Sequence, residues 1–177
     1  VAGLSYRGYG SSEGKPNEQG FYQDARAAIE HIKQNHDISK LVLVGRSLGT
    51  GVATKMAEEY DIHSVVLISP YTSIVDVAQQ TYWYFPTRYL VRDKFDSKSR
   101  MQNISEPILL IHGSEDKIIP HQHSMILSKI ADTNNKLITY ENTGHNDIDD
   151  NRLTSDILDF VYHEENKKKI EDFLDVN

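Results

Sequence analysis

Four short apolar runs recur along the chain, at residues 41–44 (Leu-Val-Leu-Val), 65–68 (Val-Val-Leu-Ile), 108–111 (Ile-Leu-Leu-Ile) and 137–140 (Leu-Ile-Thr-Tyr). A strand with one wet face alternates apolar and polar residues; continuous runs of this length suit strands covered on both faces of a parallel sheet. Residues 1–4 read as the tail of a fifth strand. Between the runs the period changes. Phe21, Ala25, Ala28, Ile29 and Ile32 form one helical stripe, and Leu48, Val52 and Met56 form another. Met125, Ile126 and Ile130 mark a helix after Pro120, and Leu153, Ile157, Phe160 and Val161 mark one near the end. Strand and helix therefore alternate, which predicts an α/β fold, a mostly parallel sheet with helices on both faces.

Residues 70–106 break that rhythm. They carry Tyr71, Tyr82, Trp83, Tyr84, Phe85 and Tyr89 among polar residues and show no strand pattern. Two readings stand side by side: a short lid insertion whose Tyr82, Trp83, Tyr84 and Phe85 bind substrate, or an aromatic helix packed on the domain surface.

The first run leads directly into Gly45-Arg46-Ser47-Leu48-Gly49 and then into a helical pattern. Gly-x-Ser-x-Gly between a buried strand and an amphipathic helix is the setting of a nucleophile on a strained turn. Gly45 and Gly49 give that turn room, and Gly51 relaxes the first helical turn. The backbone N–H of Leu48, at a helix N-terminus, is placed to donate to an oxyanion. A serine hydroxyl needs a base and an orienting acid, which in such a sheet follow in the order Ser, acid, His. The third run ends in His112-Gly113-Ser114-Glu115-Asp116, and the fourth is followed by Gly144-His145-Asn146-Asp147. Loops after parallel strands open at one sheet edge, so Ser47, Asp116 and His145 are the expected catalytic set. Glu115 competes with Asp116, but neighbours in sequence point different ways and only one can face His145. Asp147 reads as a cap for the next helix, and His112 as a residue that positions its loop.

Composition narrows the picture. The 177 residues suit a single domain spanning 1–177, with the insertion at 70–106. There is no cysteine, which excludes disulfides and thiol chemistry and suits a reducing compartment, the cytoplasm being favoured. His121 and His123 have no third metal ligand at usable spacing, so no metal or cofactor is expected. A net charge of −7 argues against a nucleic-acid partner. Lys167, Lys168 and Lys169 precede three acids and read as a solvated helix face.

The stretch Ser5-Tyr6-Arg7-Gly8-Tyr9-Gly10-Ser11-Ser12-Glu13-Gly14, with the Ser47, Asp116 and His145 motifs in that order, resembles the abhydrolase-domain serine hydrolases over residues 1–165. The resemblance is to the small branch containing protein depalmitoylases and their yeast and bacterial relatives. It implies that Ser47, Asp116 and His145 form a catalytic triad acting on a small acyl ester, thioester or lipidated substrate. It also implies strands before the Tyr6-Arg7-Gly8 loop, one of which ends in a His-Gly loop supplying a second oxyanion N–H. That strand normally lies between those of Leu4 and Leu43. The chain is therefore expected to be an N-terminally incomplete version of the natural protein, with any membrane association arising from the missing segment. Two alternatives are a prolyl-oligopeptidase-type peptidase and a binding domain that keeps the fold without activity.

Overall fold

The structure, a computed structural model, describes residues 1–131 and 135–175. After an extended stretch and the Tyr6–Gly14 loop come α1 (Glu18–Asn35), β1 (Val42–Arg46), α2 (Leu48–Glu59) and β2 (Ser64–Ile68). Three short helices follow, α3 (Ile74–Thr81), α4 (Thr87–Leu90) and α5 (Ser97–Met101). The order then returns to alternation, with β3 (Ile108–Gly113), α6 (Gln122–Ile130), β4 (Asn135–Tyr140) and α7 (Asp150–Asp175). The side chains of Lys167, Lys168 and Lys169, read as a solvated helix face, lie outside the described residues.

The four strands form one sheet in the order β1-β2-β3-β4, and every pairing is parallel. Residue by residue, Leu43 opposes Val65, Val65 opposes Ile108, and Ile108 opposes Asn135. Side chains alternate between the faces. Val65, Leu67, Ile108 and Leu110 join Ala53 and Ala57 of α2 and Leu127 of α6. Val66, Ile68, Leu109 and Ile111 meet Leu153 and Phe160 of α7. Helices cover both faces as the pattern predicts, but unequally, since α1, α2 and α6 all pack on one.

Continuous apolar runs predict full burial, and β2 and β3 obey it at every position. The outer strands do not. Val44 of β1 is exposed, and the described part of β4 is largely half-buried. Residues 1–4 form no strand: they lie exposed and unpaired beside the free edge of β1. A groove of about 540 Å³ runs along that edge, lined by Leu4, Tyr6, Ala28, Ile32, Leu41 and Leu43. Ala28 and Ile32 of the predicted α1 stripe are thus half-buried against the groove, whereas Phe21, Ala25 and Ile29 reach the core.

In α6 the buried face is His123, Ser124 and Leu127, and Met125 and Ile126 point outward. Apolar spacing misreads this helix because two of its core positions are polar residues with hydrogen-bond partners. Asn17 caps α1 by accepting from the Gly20 N–H at 2.8 Å. Asp149, and not Asp147, caps α7 by accepting from the Arg152 N–H at 2.7 Å. Among the described residues no helix is long and apolar enough to cross a membrane.

Candidate active site

β1 ends where Gly45 lies under α2. A Cβ on Gly45 would come within 2.6 Å of the Gly49 carbonyl oxygen and 2.8 Å of the Ala53 Cβ, so strand and helix could not approach as they do. The chain reverses at Ser47, whose φ of 50° and ψ of −119° lie where L-residues are strained. The Ser47 N–H still donates to the Ile68 carbonyl at 2.9 Å, extending the β1–β2 ladder by one residue. α2 begins at Leu48, whose N–H is one of the four that a helix leaves without an intrahelical acceptor. Gly49 and Gly51 take other parts than expected. A Cβ on Gly49 would have room, meeting only the Tyr6 hydroxyl at 3.9 Å, whereas a Cβ on Gly51 would collide with the Tyr71 hydroxyl and the Phe95 side chain. Gly51 is needed for packing, and Tyr71 in turn donates to the Leu48 carbonyl at 3.1 Å.

Asp116 follows β3 and is buried, with one oxygen accepting from the N–H groups of Ile118 at 2.9 Å and Ile119 at 2.8 Å. Its other oxygen is 2.6 Å from His145 Nδ1. Burial by itself would push this carboxyl up, but the Ile119 N–H, His145 and the Ile118 N–H together hold it below the ordinary carboxylate value. An ionised carboxylate only accepts, so His145 Nδ1 carries a proton, and in the neutral tautomer with that proton Nε2 is the acceptor. Nε2 lies 3.0 Å from Ser47 Oγ. A serine hydroxyl, an imidazole facing it and a buried carboxylate behind thus stand in line across three loop ends, 98 positions apart at the extremes.

Glu115 is exposed, and no hydrogen bond of its side chain is seen among the described residues, which settles the competition for His145 in favour of Asp116. His112 is fully buried and does position the acid loop. Its Nε2–H donates to the Ile119 carbonyl at 2.8 Å and lies 3.3 Å from Asp116, and its Nδ1 accepts from the Ser124 hydroxyl at 2.6 Å. Burial lowers the His112 pKa. His121 pairs with the Thr139 hydroxyl at 3.0 Å. A hollow of about 300 Å³, lined by Glu115, Lys117, Asn142 and Asn146, opens beside His145.

Two features have no clear signal in the sequence. His123 Nδ1 accepts from the Thr72 N–H at 3.3 Å and its Nε2–H reaches the Gln80 side-chain Oε1 at 3.3 Å, so α6 grips both ends of α3. Ser69, one step beyond the end of β2 as Ser47 is beyond β1, is also left-handed, with φ 50° and a buried hydroxyl that has no partner. Tyr82, Trp83, Tyr84 and Phe85 follow α3 and are all at least half exposed, and they line neither the groove beside β1 nor the hollow beside His145.

A parallel sheet with a strained serine between strand and helix, and His and Asp on later strand ends, defines the α/β-hydrolase class. The family model described as alpha/beta hydrolase fold matches residues 1–94. The chain belongs to that family, in its abhydrolase-domain branch. It is 36% identical over 146 residues to an uncharacterised protein of Mycobacterium tuberculosis, covering 81% of this chain and 52% of that one. It is 33% identical over 155 residues to alpha/beta hydrolase domain-containing protein 17B of Xenopus laevis, covering 84% and 51%. The chain thus spans about half the length of the curated relatives it matches. Among solved structures, Est1E from Butyrivibrio proteoclasticus superposes with a TM-score of 0.68 over 84% of this chain and 71% of its own, at 18% identity. The Paleococcus ferrophilus monoacylglycerol lipase gives 0.64 over 90% and 81%, at 19% identity. These two likenesses establish the fold.

Proposed function

We propose that the protein is a serine hydrolase that cleaves acyl esters or thioesters through an acyl-enzyme. The observation that carries this reading is the Ser47–His145–Asp116 line, with contacts of 3.0 and 2.6 Å. Ser47 Oγ attacks the acyl carbonyl while its proton passes to His145 Nε2. Asp116 holds the imidazole in the required tautomer and steadies the imidazolium. The carbonyl electrons collect on oxygen, where the Leu48 N–H donates to them. As the tetrahedral species collapses, the bond to the alcohol or thiol leaving group breaks and His145 returns the proton to it. Water, deprotonated by His145, then releases the acid and restores Ser47.

The acyl side of the site is assigned to the segment after α3. Through Thr72 and Gln80 that helix is fixed to His123, in the first turn of α6 just beyond the Asp116 loop. Tyr82, Trp83, Tyr84 and Phe85 therefore follow an element anchored on the same sheet edge as Ser47. Fluorophosphonate labelling of the wild type, with Ser47→Ala as control, tests the nucleophile: labelling that survives the substitution refutes the assignment. Competition of that labelling by a thioester, an acyl ester and a peptide then ranks substrate classes, and preferential competition by the peptide would replace this reading with the peptidase one.

A further inference from the structure

The segment from Tyr82 to Leu90 carries the densest exposed apolar surface of the described residues. Tyr82, Trp83, Tyr84, Phe85, Tyr89 and Leu90 are each at least half exposed, Trp83 at 78% and Tyr89 at 82%. Buried neighbours hold the segment in place. The Thr87 hydroxyl donates to the Gln79 side-chain oxygen at 2.7 Å, and Phe95 packs against Phe21 and Tyr22 at the far end. The rings touch mainly one another, Trp83 edge-on to Tyr84 at 5.7 Å and Tyr84 tilted on Phe85 at 4.8 Å. Monomeric soluble proteins seldom expose contiguous apolar surface of this kind unless something covers it.

The surrounding charge says what that is. The protein carries −7 overall, yet Arg88, Arg92, Lys94 and Lys98, close to the rings in sequence, are all exposed. None of these four forms a salt bridge among the described residues. Two nearby carboxylates are engaged by backbone N–H groups: the exposed Asp93 accepts from the Glu18 N–H at 2.9 Å, and Glu18 accepts from the Lys94 N–H at 2.7 Å. A cluster of Trp, Tyr and Phe flanked by unpaired cations matches the interface of an anionic bilayer, where amphipathic rings sit among headgroups and cations meet phosphate. Four consecutive aromatic residues form a tight turn, with the Phe85 N–H bonded to the Tyr82 carbonyl at 2.9 Å, and their ring planes diverge, by 83° between Trp83 and Tyr84 and 44° between Tyr84 and Phe85. A rigid partner covers one side of such a tip, whereas a fluid interface surrounds it.

We infer that residues 82–94 dock the protein on anionic lipid membranes, with Trp83, Tyr84, Phe85, Tyr89 and Leu90 entering the interface and Arg88, Arg92 and Lys94 binding lipid phosphate. Docking there brings an element tied to the Ser47 edge against the lipid, so that lipid-borne acyl groups need not leave the bilayer to reach it. The binding itself does not depend on the hydrolase reading.

Trp83 is the only tryptophan in the chain, so its fluorescence reports on the patch directly. Titration with phosphatidylcholine–phosphatidylglycerol vesicles should shift its emission to shorter wavelength, and brominated lipid should quench it. Pure phosphatidylcholine should bind much more weakly. Arg88→Ala, Arg92→Ala and Lys94→Ala should each weaken binding about fivefold, and added salt should do the same. These variants should keep wild-type fluorophosphonate labelling without vesicles, which separates loss of docking from loss of fold or of the Ser47 chemistry. Emission unmoved by anionic vesicles overturns the proposal, as does equal binding of the triple variant. Concentration-dependent self-association that shields Trp83 would overturn it in favour of a second copy of the chain.

Discussion

Val44 and Val66 face each other across the β1–β2 ladder, yet one is 55% exposed and the other fully buried. The same residue type in register-matched positions thus has two fates, decided by what lies beside the strand. β2 is flanked on both sides and covered on both faces, whereas β1 meets the open groove near Leu4 and Ile32. The Ser47–His145–Asp116 line bridges these unequal regions. Its serine rides on the open strand, but the Ser47 N–H is tied to β2, and its acid and base rise from β3 and β4. A site can therefore be ordered on one flank of a sheet whose other flank is open.

The largest test of that division is chemical. Ser47→Ala should lower kcat by about 10⁶-fold while leaving the fold intact, read by ester turnover beside circular dichroism. Asp116→Asn comes next, at about 10⁴-fold, because the amide favours the wrong imidazole tautomer. Retention of most activity in that variant would mean that the buried side does not govern the chemistry. Smaller effects map the sheet itself. Val66→Ala should destabilise by about 2 kcal/mol in urea unfolding, and Val44→Ala by less than about 0.5 kcal/mol. Equal costs would show that the β1 edge is covered in solution.

The smallest effect is a pH dependence confined to the buried side. Burial lowers the pKa of both His112 and His123 below that of an ordinary imidazole. Below about pH 6.5 the unfolded chain then binds more protons than the folded one. Stability present in full above that value is lost as pH falls. Asp116, held below the ordinary carboxylate value, adds a loss in the same direction only at still lower pH. Melting temperature against pH should decline accordingly, and His123→Gln should make the decline shallower. An unchanged slope would remove His123 from the account.

The same division explains what could be read from the chain alone. Parallel topology, the serine turn and the Ser, Asp, His order were legible because each rests on local pattern: apolar runs, glycines beside a serine, and polar loops after strands. Residues 1–4 were misread because a short apolar stretch carries no information about whether a neighbour strand stands beside it. Met125 and Ile126 were misread because the core face of α6 is polar, and His123 and Ser124 are buried only through partners on Thr72, Gln80 and His112. Gly51 looked like a helix-relaxing residue, but its neighbours are Tyr71 and Phe95, distant in sequence. Long-range packing of this kind leaves no periodic trace.

The left-handed backbone at Ser47 has a consequence for how such a chain drifts over time. Holding a side-chain-bearing residue at φ 50° costs about 1–3 kcal/mol, which glycine would avoid. Were selection to act on folding alone, position 47 would be among the first to change, and the relaxed descendants would be more robust and inert. Persistence of serine at this strained bend among neutral drifters would therefore be a direct record of selection for chemistry over durability.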